Sequence, residues 1–170
     1  MNGRFAMNRG FALALLAATL AVACSTPDPT AQTPVVGPDR AGFGPVHAFV
    51  DHRCGSLDCH GTRYRNMRLW GHDGMRLAVG DIPGVSPTTS AELDASYTSI
   101  VELEPEIMSA VVADHGANPE RLTLVRKARG TEQHVGGAVV VAGDARDRCI
   151  VSWLAGTTDT TACAEALVLP

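Results

Sequence analysis

From Pro45 onward, apolar residues recur three and four positions apart in short runs, each bounded by proline, glycine or a small polar residue. Pro45 to Arg53 opens with proline at a first helical position and sets Val46, Phe49 and Val50 on one face. Thr89 or Ser90 caps a helix reaching about Leu103, with Tyr97, Ile100 and Leu103 as its apolar positions. Pro105 starts the next, Glu106 to about Asp114, carrying Ile107, Met108, Val111 and Val112. Asn118-Pro119 opens a helix through Leu122, Leu124 and Val125 that stops at Gly130. Ala138 to Val141 is a β-branched run that fits a short strand or a buried extended segment. Asp144 caps the last clear helix, with Cys149, Ile150, Trp153 and Leu154 on its face and Gly156 ending it. Between Gly61 and Pro87 helix signals are sparse, and so long an irregular run predicts a segment wrapped around something. The pattern is that of a mainly α small helical domain with long loops.

The first residues break this pattern. Arg4 and Arg9 precede an apolar run from Phe11 to Val22, too short for a spanning helix but suited to a signal-peptide core. The run ends in Leu20-Ala21-Val22-Ala23-Cys24, which resembles a lipobox with Ala where Leu is commoner three positions before the cysteine. That resemblance implies cleavage after residue 23, lipid on Cys24 and a membrane anchor. The alternative is an ordinary secretory leader leaving Cys24 as a free thiol, since an A-x-A-like cut would fall at the same place. Ser25 at the next position implies the outer membrane of a cell envelope that has two membranes. Ser25 to about Arg40 holds Pro, Thr, Ala, Gly and Gln with almost no large apolar residue, a composition that predicts a flexible tether. The organisation expected is therefore a leader over 1–23, a lipidated cysteine and linker over 24–40, and one domain over 41–170.

Charge and ring content change the picture modestly. Of 14 basic residues, Arg4 and Arg9 leave with the leader, so 12 face 18 acidic ones and the mature chain is near −6. There is no basic stripe, and nothing in the sequence suggests a nucleic-acid partner. Four Phe, two Tyr and two Trp are few for this length, and Phe5 and Phe11 lie in the leader. Either Val, Leu and Ala pack the core or something else fills the middle.

The candidate chemistry is in the cysteines. Cys149 and Cys163 flank a Thr-rich reversal from Gly156 to Thr161 that brings them within disulfide reach in an exported protein. Cys54 and Cys59 lie in Cys54-Gly55-Ser56-Leu57-Asp58-Cys59-His60. Covalent haem attachment needs two thiols for the two vinyl groups and a histidine directly after the second, normally as C-x-x-C-H. The spacing here is C-x4-C-H, and the same residues also fit two other chemistries. One is a Cys54–Cys59 disulfide in a haem-free, disulfide-stapled binding or structural module. The other is a zinc site made from Cys54, Cys59, His60 and a distant histidine.

Three further pieces, in order, resemble planctomycete-type cytochrome c domains. After Cys59-His60-Gly61 come Gly74-Met75-Arg76-Leu77, then Lys127 ahead of His134-Val135-Gly136-Gly137, then Trp153-Leu154-Ala155-Gly156. The resemblance spans about Val46 to Gly156. It departs from the family in the four-residue spacer and in the residue inserted between His134 and its glycines. It implies a monohaem cytochrome c-like fold, covalent haem c on Cys54 and Cys59, and His60 as the proximal iron ligand. His134, in a glycine-flanked loop, is the first choice for the sixth ligand. Met108 is second, on an apolar helical face where methionine is more often core, and Met67 and Met75 come third. His47, His52, His72 and His115 read as surface or satisfied residues, with His47 also placed to line a haem edge. Arg63, Arg65 and Arg68 fit either haem propionates or a solvated face. Arg126-Lys127-Ala128-Arg129 complements a helix C-terminus. Asp51, Asp58 and Glu104 are isolated acids, and no triad, phosphate loop or carboxylate pair argues for an enzyme. The function expected is electron carriage by a membrane-tethered protein toward a redox partner protein.

Overall fold

The computed structural model describes residues 34–168, among which six α-helices and no strand occur. The leader, the lipobox with Cys24 and the first part of the expected tether lie outside the described residues. Helix α1 runs Phe43–Cys54, α2 Ser90–Val101, α3 Pro105–Ala113, α4 Thr123–Ala128, α5 Ala145–Leu154 and α6 Thr160–Val168. No helix among the described residues is long and apolar enough to cross a membrane.

Helix starts follow local chemistry. Thr89 forms a full capping box with Glu92, the hydroxyl accepting from the Glu92 amide and the carboxylate from the Thr89 amide. Asp144 accepts from the Asp147 amide at the head of α5, and Gly156 at φ +83° closes its far end. The helix expected from Pro119 to Gly130 is two pieces. A 3₁₀ turn, Pro119–Arg121, gives way at an extended Leu122 to α4. Leu122 is thereby buried, and the Thr123 amide turns to the Glu104 carboxylate at 2.6 Å. Ala138 to Val141 is extended without forming a strand. The amides of Val139 and Val140 both donate to the Ala128 carbonyl at the end of α4. Helix α6 lies beyond the last helix that apolar spacing predicts. Asp159 caps it by accepting from Ala162 at 2.9 Å, and small residues (Ala162, Cys163, Ala166) make its buried face.

Core packing joins α1, α2, α5 and α6. Phe43, Tyr97 and Trp153 meet with ring centroids 5.0 to 6.1 Å apart, a cluster of three rings. The Tyr97 hydroxyl and the Trp153 indole N–H need acceptors, and the chain before α1 supplies them. Tyr97 donates to the Pro38 carbonyl at 2.7 Å and Trp153 to the Asp39 carbonyl at 3.1 Å. Arg40 pairs with Asp94, and the Val36 amide donates to Ser109. Residues 35–40 are therefore strapped to the helices, which moves the start of the domain back from Ala41. The expected disulfide is present: Cys149 and Cys163 are bonded, joining α5 to α6.

Between α1 and α2 the chain makes no helix. Its first part crosses the end of α1, and its second part is organised around Arg76. That guanidinium holds the fully buried Glu92 carboxylate through two bonds of 2.8 and 2.9 Å. It also donates to the carbonyls of Ser86 and Pro87.

Candidate functional site

The Cys54–His60 segment begins where α1 ends. Gly55 closes the helix by donating to the Asp51 carbonyl, and the chain then coils back on itself. His60 donates its amide to the Cys54 carbonyl at 2.8 Å, Cys59 and Gly61 donate to Ser56, and Leu69 donates to the His60 carbonyl. Cys54 and Cys59 thus sit at the two ends of one small loop, both half-buried and both unbonded thiols. Three glycines make the coil possible. A Cβ on Gly61 would overlap the Gly55 carbonyl and sit 2.7 Å from the Gly74 Cα, so no side chain fits. Gly74 comes from the second family-like segment, which places that segment against the cysteine loop.

Beside this loop is a cavity of about 460 Å³, within the roughly 300–1,000 Å³ usual for small-molecule and cofactor sites. Cys54, His60, Tyr64, Arg65 and Met67 line one side, and Leu103, Glu104, Leu124, Lys127, Ala128, His134 and Val139 the other. The wall is mostly apolar, with a cationic edge at Arg65 and Lys127. Arg65 is held in place by donating to the carbonyls of Cys59 and Asp58, and Lys127 by Glu132 and the Gln133 carbonyl.

His60 and His134 reach this cavity from opposite parts of the chain, with stacked rings 5.9 Å apart. Each is tied through Nδ1. His60 Nδ1 bonds the Met67 carbonyl at 3.0 Å and His134 Nδ1 the Gly137 carbonyl at 3.3 Å. A carbonyl only accepts, so Nδ1 carries the proton of each bond. Among the described residues neither Nε2 has a hydrogen-bond partner. Burial pushes the His60 pKa down. The bond to Met67 opposes that shift, and neighbouring His134, Arg65 and Lys127 reinforce it. His60 is therefore neutral near pH 7, the form that can donate to a metal. Burial, with repulsion from Cys59, raises the Cys54 thiol to about 11, partly offset by Arg53.

The structure narrows the alternatives that the sequence leaves open. Met108 is a buried core residue of α3 away from the cavity, whereas Met67 lines it. His47 is also away from it, buried between α1 and α2, with its Nε2 at 2.9 Å from the Trp70 carbonyl and 3.3 Å from Ser96. The other three histidines, His52, His72 and His115, are exposed. The arginine trio divides: Arg65 lines the cavity, Arg68 donates to the Arg65 carbonyl, and Arg63 lies over the Tyr64 ring. Finally, no three His, Cys, Asp or Glu side chains gather closely enough among the described residues to hold a metal ion, so the zinc alternative has no assembled donor set.

One cavity residue was missed by sequence. Glu104 looked isolated, yet its carboxylate accepts from the amide and hydroxyl of Thr123 and so fixes the head of α4. Only the proline after it and the threonine opening the later helix hint at this, and their meeting is a tertiary event. No protein-family model, curated protein or solved structure matches the chain.

Proposed function

We propose that this chain is an exported, lipid-anchored protein that binds haem c through Cys54 and Cys59, ligates its iron with His60, and carries electrons. The observation that carries the reading is the paired histidine arrangement in a cavity that also contains the Cys54 thiol. Imidazoles whose Nδ1 is anchored to a backbone carbonyl, leaving Nε2 to face the metal, are the usual form of metal-ligating histidine. The two rings lie 5.9 Å apart between centroids, near enough for both to serve one group bound in the cavity.

The residues present fit the group. Leu103, Leu124, Ala128, Val139 and Met67 offer an apolar wall, while Arg65 and Lys127 suit two propionates at its edge. The Cys54–His60 loop keeps Cys54 and His60 on the cavity wall, with Cys59 directly before the histidine in the chain. Each thiol would add across one vinyl double bond, sulfur to one carbon and hydrogen to the other, so that nothing leaves and no oxidant is consumed. His60, held in one tautomer by the Met67 carbonyl, and His134, tied to the Gly137 carbonyl, would hold the iron. Haem provides a one-electron couple of iron; the protein sets access to it and the charge around it. Burial and neighbouring Arg65 and Lys127 favour neutral His60, which keeps it available as a ligand. The anchor rests on the leader and on Leu20 to Cys24, and the reading places the protein at a cell-envelope membrane, the outer one where two exist.

The test is spectroscopic. In protein exported with haem-attachment machinery, His60→Ala should abolish the low-spin spectrum. His134→Ala should open the sixth position to carbon monoxide, while Met108→Ala should leave the spectrum unchanged. A spectrum indifferent to His134 but altered by Met67→Ala would move the sixth ligand to Met67. A colourless protein would overturn the reading.

A further inference from the structure

The loop between the cysteine motif and α2 presents Leu77, Val79, Ile82 and Val85 to solvent, at 49, 106, 58 and 71 % exposure respectively. Four aliphatic side chains within nine residues form an apolar cluster that the described residues leave uncovered. The loop beneath them is fixed. Arg76 donates to Ser86 and Pro87, and the Leu77 amide donates to Glu92 at 3.1 Å. The Asp81 amide donates to Ala78, Ile82 to Ser86 Oγ, Gly84 to His72, and Val85 to the Ile82 carbonyl. Asp81 is the one charged side chain between residues 77 and 85, and it faces Arg76 at 3.6 Å. Five of the eight backbone amides between Leu77 and Val85 are bonded within the protein, which lowers the cost of leaving water, and the side chains are held outward without further ordering.

We propose that the loop from Leu77 to Val85 is a membrane-contact surface, seated in the interface of the bilayer that anchors Cys24; the proposal rests on the lipid-anchor reading. Nine residues lie between Cys24 and Pro34, and the ten Cα-to-Cα steps make a leash of at most about 35 Å. A domain of this length has a radius of gyration of about 14 Å, so the leash is no longer than the domain is wide. It holds lipid at high effective concentration, and a patch too small to retain a free protein is then sufficient. The loop carries no Lys or Arg and the mature chain is acidic. Contact therefore depends on apolar burial, with no attraction to anionic headgroups.

The full lipidated protein, with p-benzoylphenylalanine replacing Val79, is reconstituted in phosphatidylethanolamine–phosphatidylglycerol vesicles and irradiated. The same photoreactive residue at exposed Val135 on the His134 loop serves as the control. About tenfold more phospholipid adduct is expected at position 79 than at 135, unchanged when the phosphatidylglycerol fraction is halved. Ile82→Asp together with Val85→Asp should reduce that adduct to the control level. Equal adducts at the two positions in vesicle-anchored protein would overturn the loop assignment alone. In intact envelopes, a protein adduct at 79 in place of lipid would assign the patch to a protein partner instead. An N-terminal peptide lacking lipid mass would remove the anchor, and this proposal with it.

Discussion

At the scale of single residues, burial governs reactivity at both ends of the site. The Cys54 thiol, raised to about 11 against an ordinary 9.0, holds on the order of 100-fold less thiolate at pH 8 than an unperturbed cysteine. Iodoacetamide should label Cys54 of the haem-free chain correspondingly slowly at that pH, and mass mapping of the peptide against time reads the rate. Glu92 shows a different balance. Burial pushes its carboxyl up, but Arg76 and the amides of Thr89 and Leu77 outweigh it and hold the pKa at about 2. Its folded value lies below its unfolded one, so its contribution is complete above about 4.5 and is lost as pH falls through about 2. Glu92→Gln would remove the nearer of the two carboxylates that face Arg76, leaving Asp81 at 3.6 Å, and should cost about 1.5–3 kcal/mol by urea unfolding at pH 7. It should also flatten the acid limb of stability. Sequence had marked Cys54, Cys59, His60 and His134 because their chemistry is visible in residue type and spacing. Nothing in the sequence singles out Glu92 as an ion-pair residue, because its partner lies 16 positions back in a loop without periodicity.

Elements that announce themselves by caps and apolar spacing were legible: α1, α2, α3 and α5 begin and end within a few residues of their sequence signals. The rest depended on tertiary bonds. The break at Leu122 exists because the Glu104 carboxylate takes the Thr123 amide, and Ala138 to Val141 is held by the end of α4. Helix α6 buries small residues whose contribution a hydrophobic pattern underweights. Pro38 and Asp39 look like linker in composition, yet they accept from Tyr97 and Trp153, partners 59 and 114 positions away. The cysteine loop provides a test at this scale. Gly61→Ala drives a Cβ into backbone atoms of Gly55 and Gly74, and such overpacking should cost about 1–3 kcal/mol and reduce haem incorporation. Gly80→Ala has open space and ordinary φ, so its stability should stay within about 0.5 kcal/mol of the parent. Equal stabilities for the two variants would remove the glycine packing from the account.

For the whole molecule, two covalent devices divide the labour in this reading. The Cys149–Cys163 bond closes a 14-residue separation between α5 and α6, worth roughly 3 kcal/mol in the chain-entropy model. Cys149→Ala with Cys163→Ala should lose about that much in denaturant unfolding while leaving pigment in place, because the cavity lies elsewhere. The Cys54–Cys59 loop is assigned to the cofactor only by the haem proposal; its thiols are unbonded and apart from the structural pair. If Cys24 is the anchor, Cys24→Ala should free the protein from the membrane fraction without altering its spectrum. Such separability of anchor, staple and site is what the account requires. The central claim is tested most directly by mass mapping the peptide spanning Cys54 to His60, from protein exported with working haem-attachment machinery. The account predicts one haem bound through two thioethers, surviving acid-acetone extraction. A haem-free peptide with Cys54 bridged to Cys59 would contradict it.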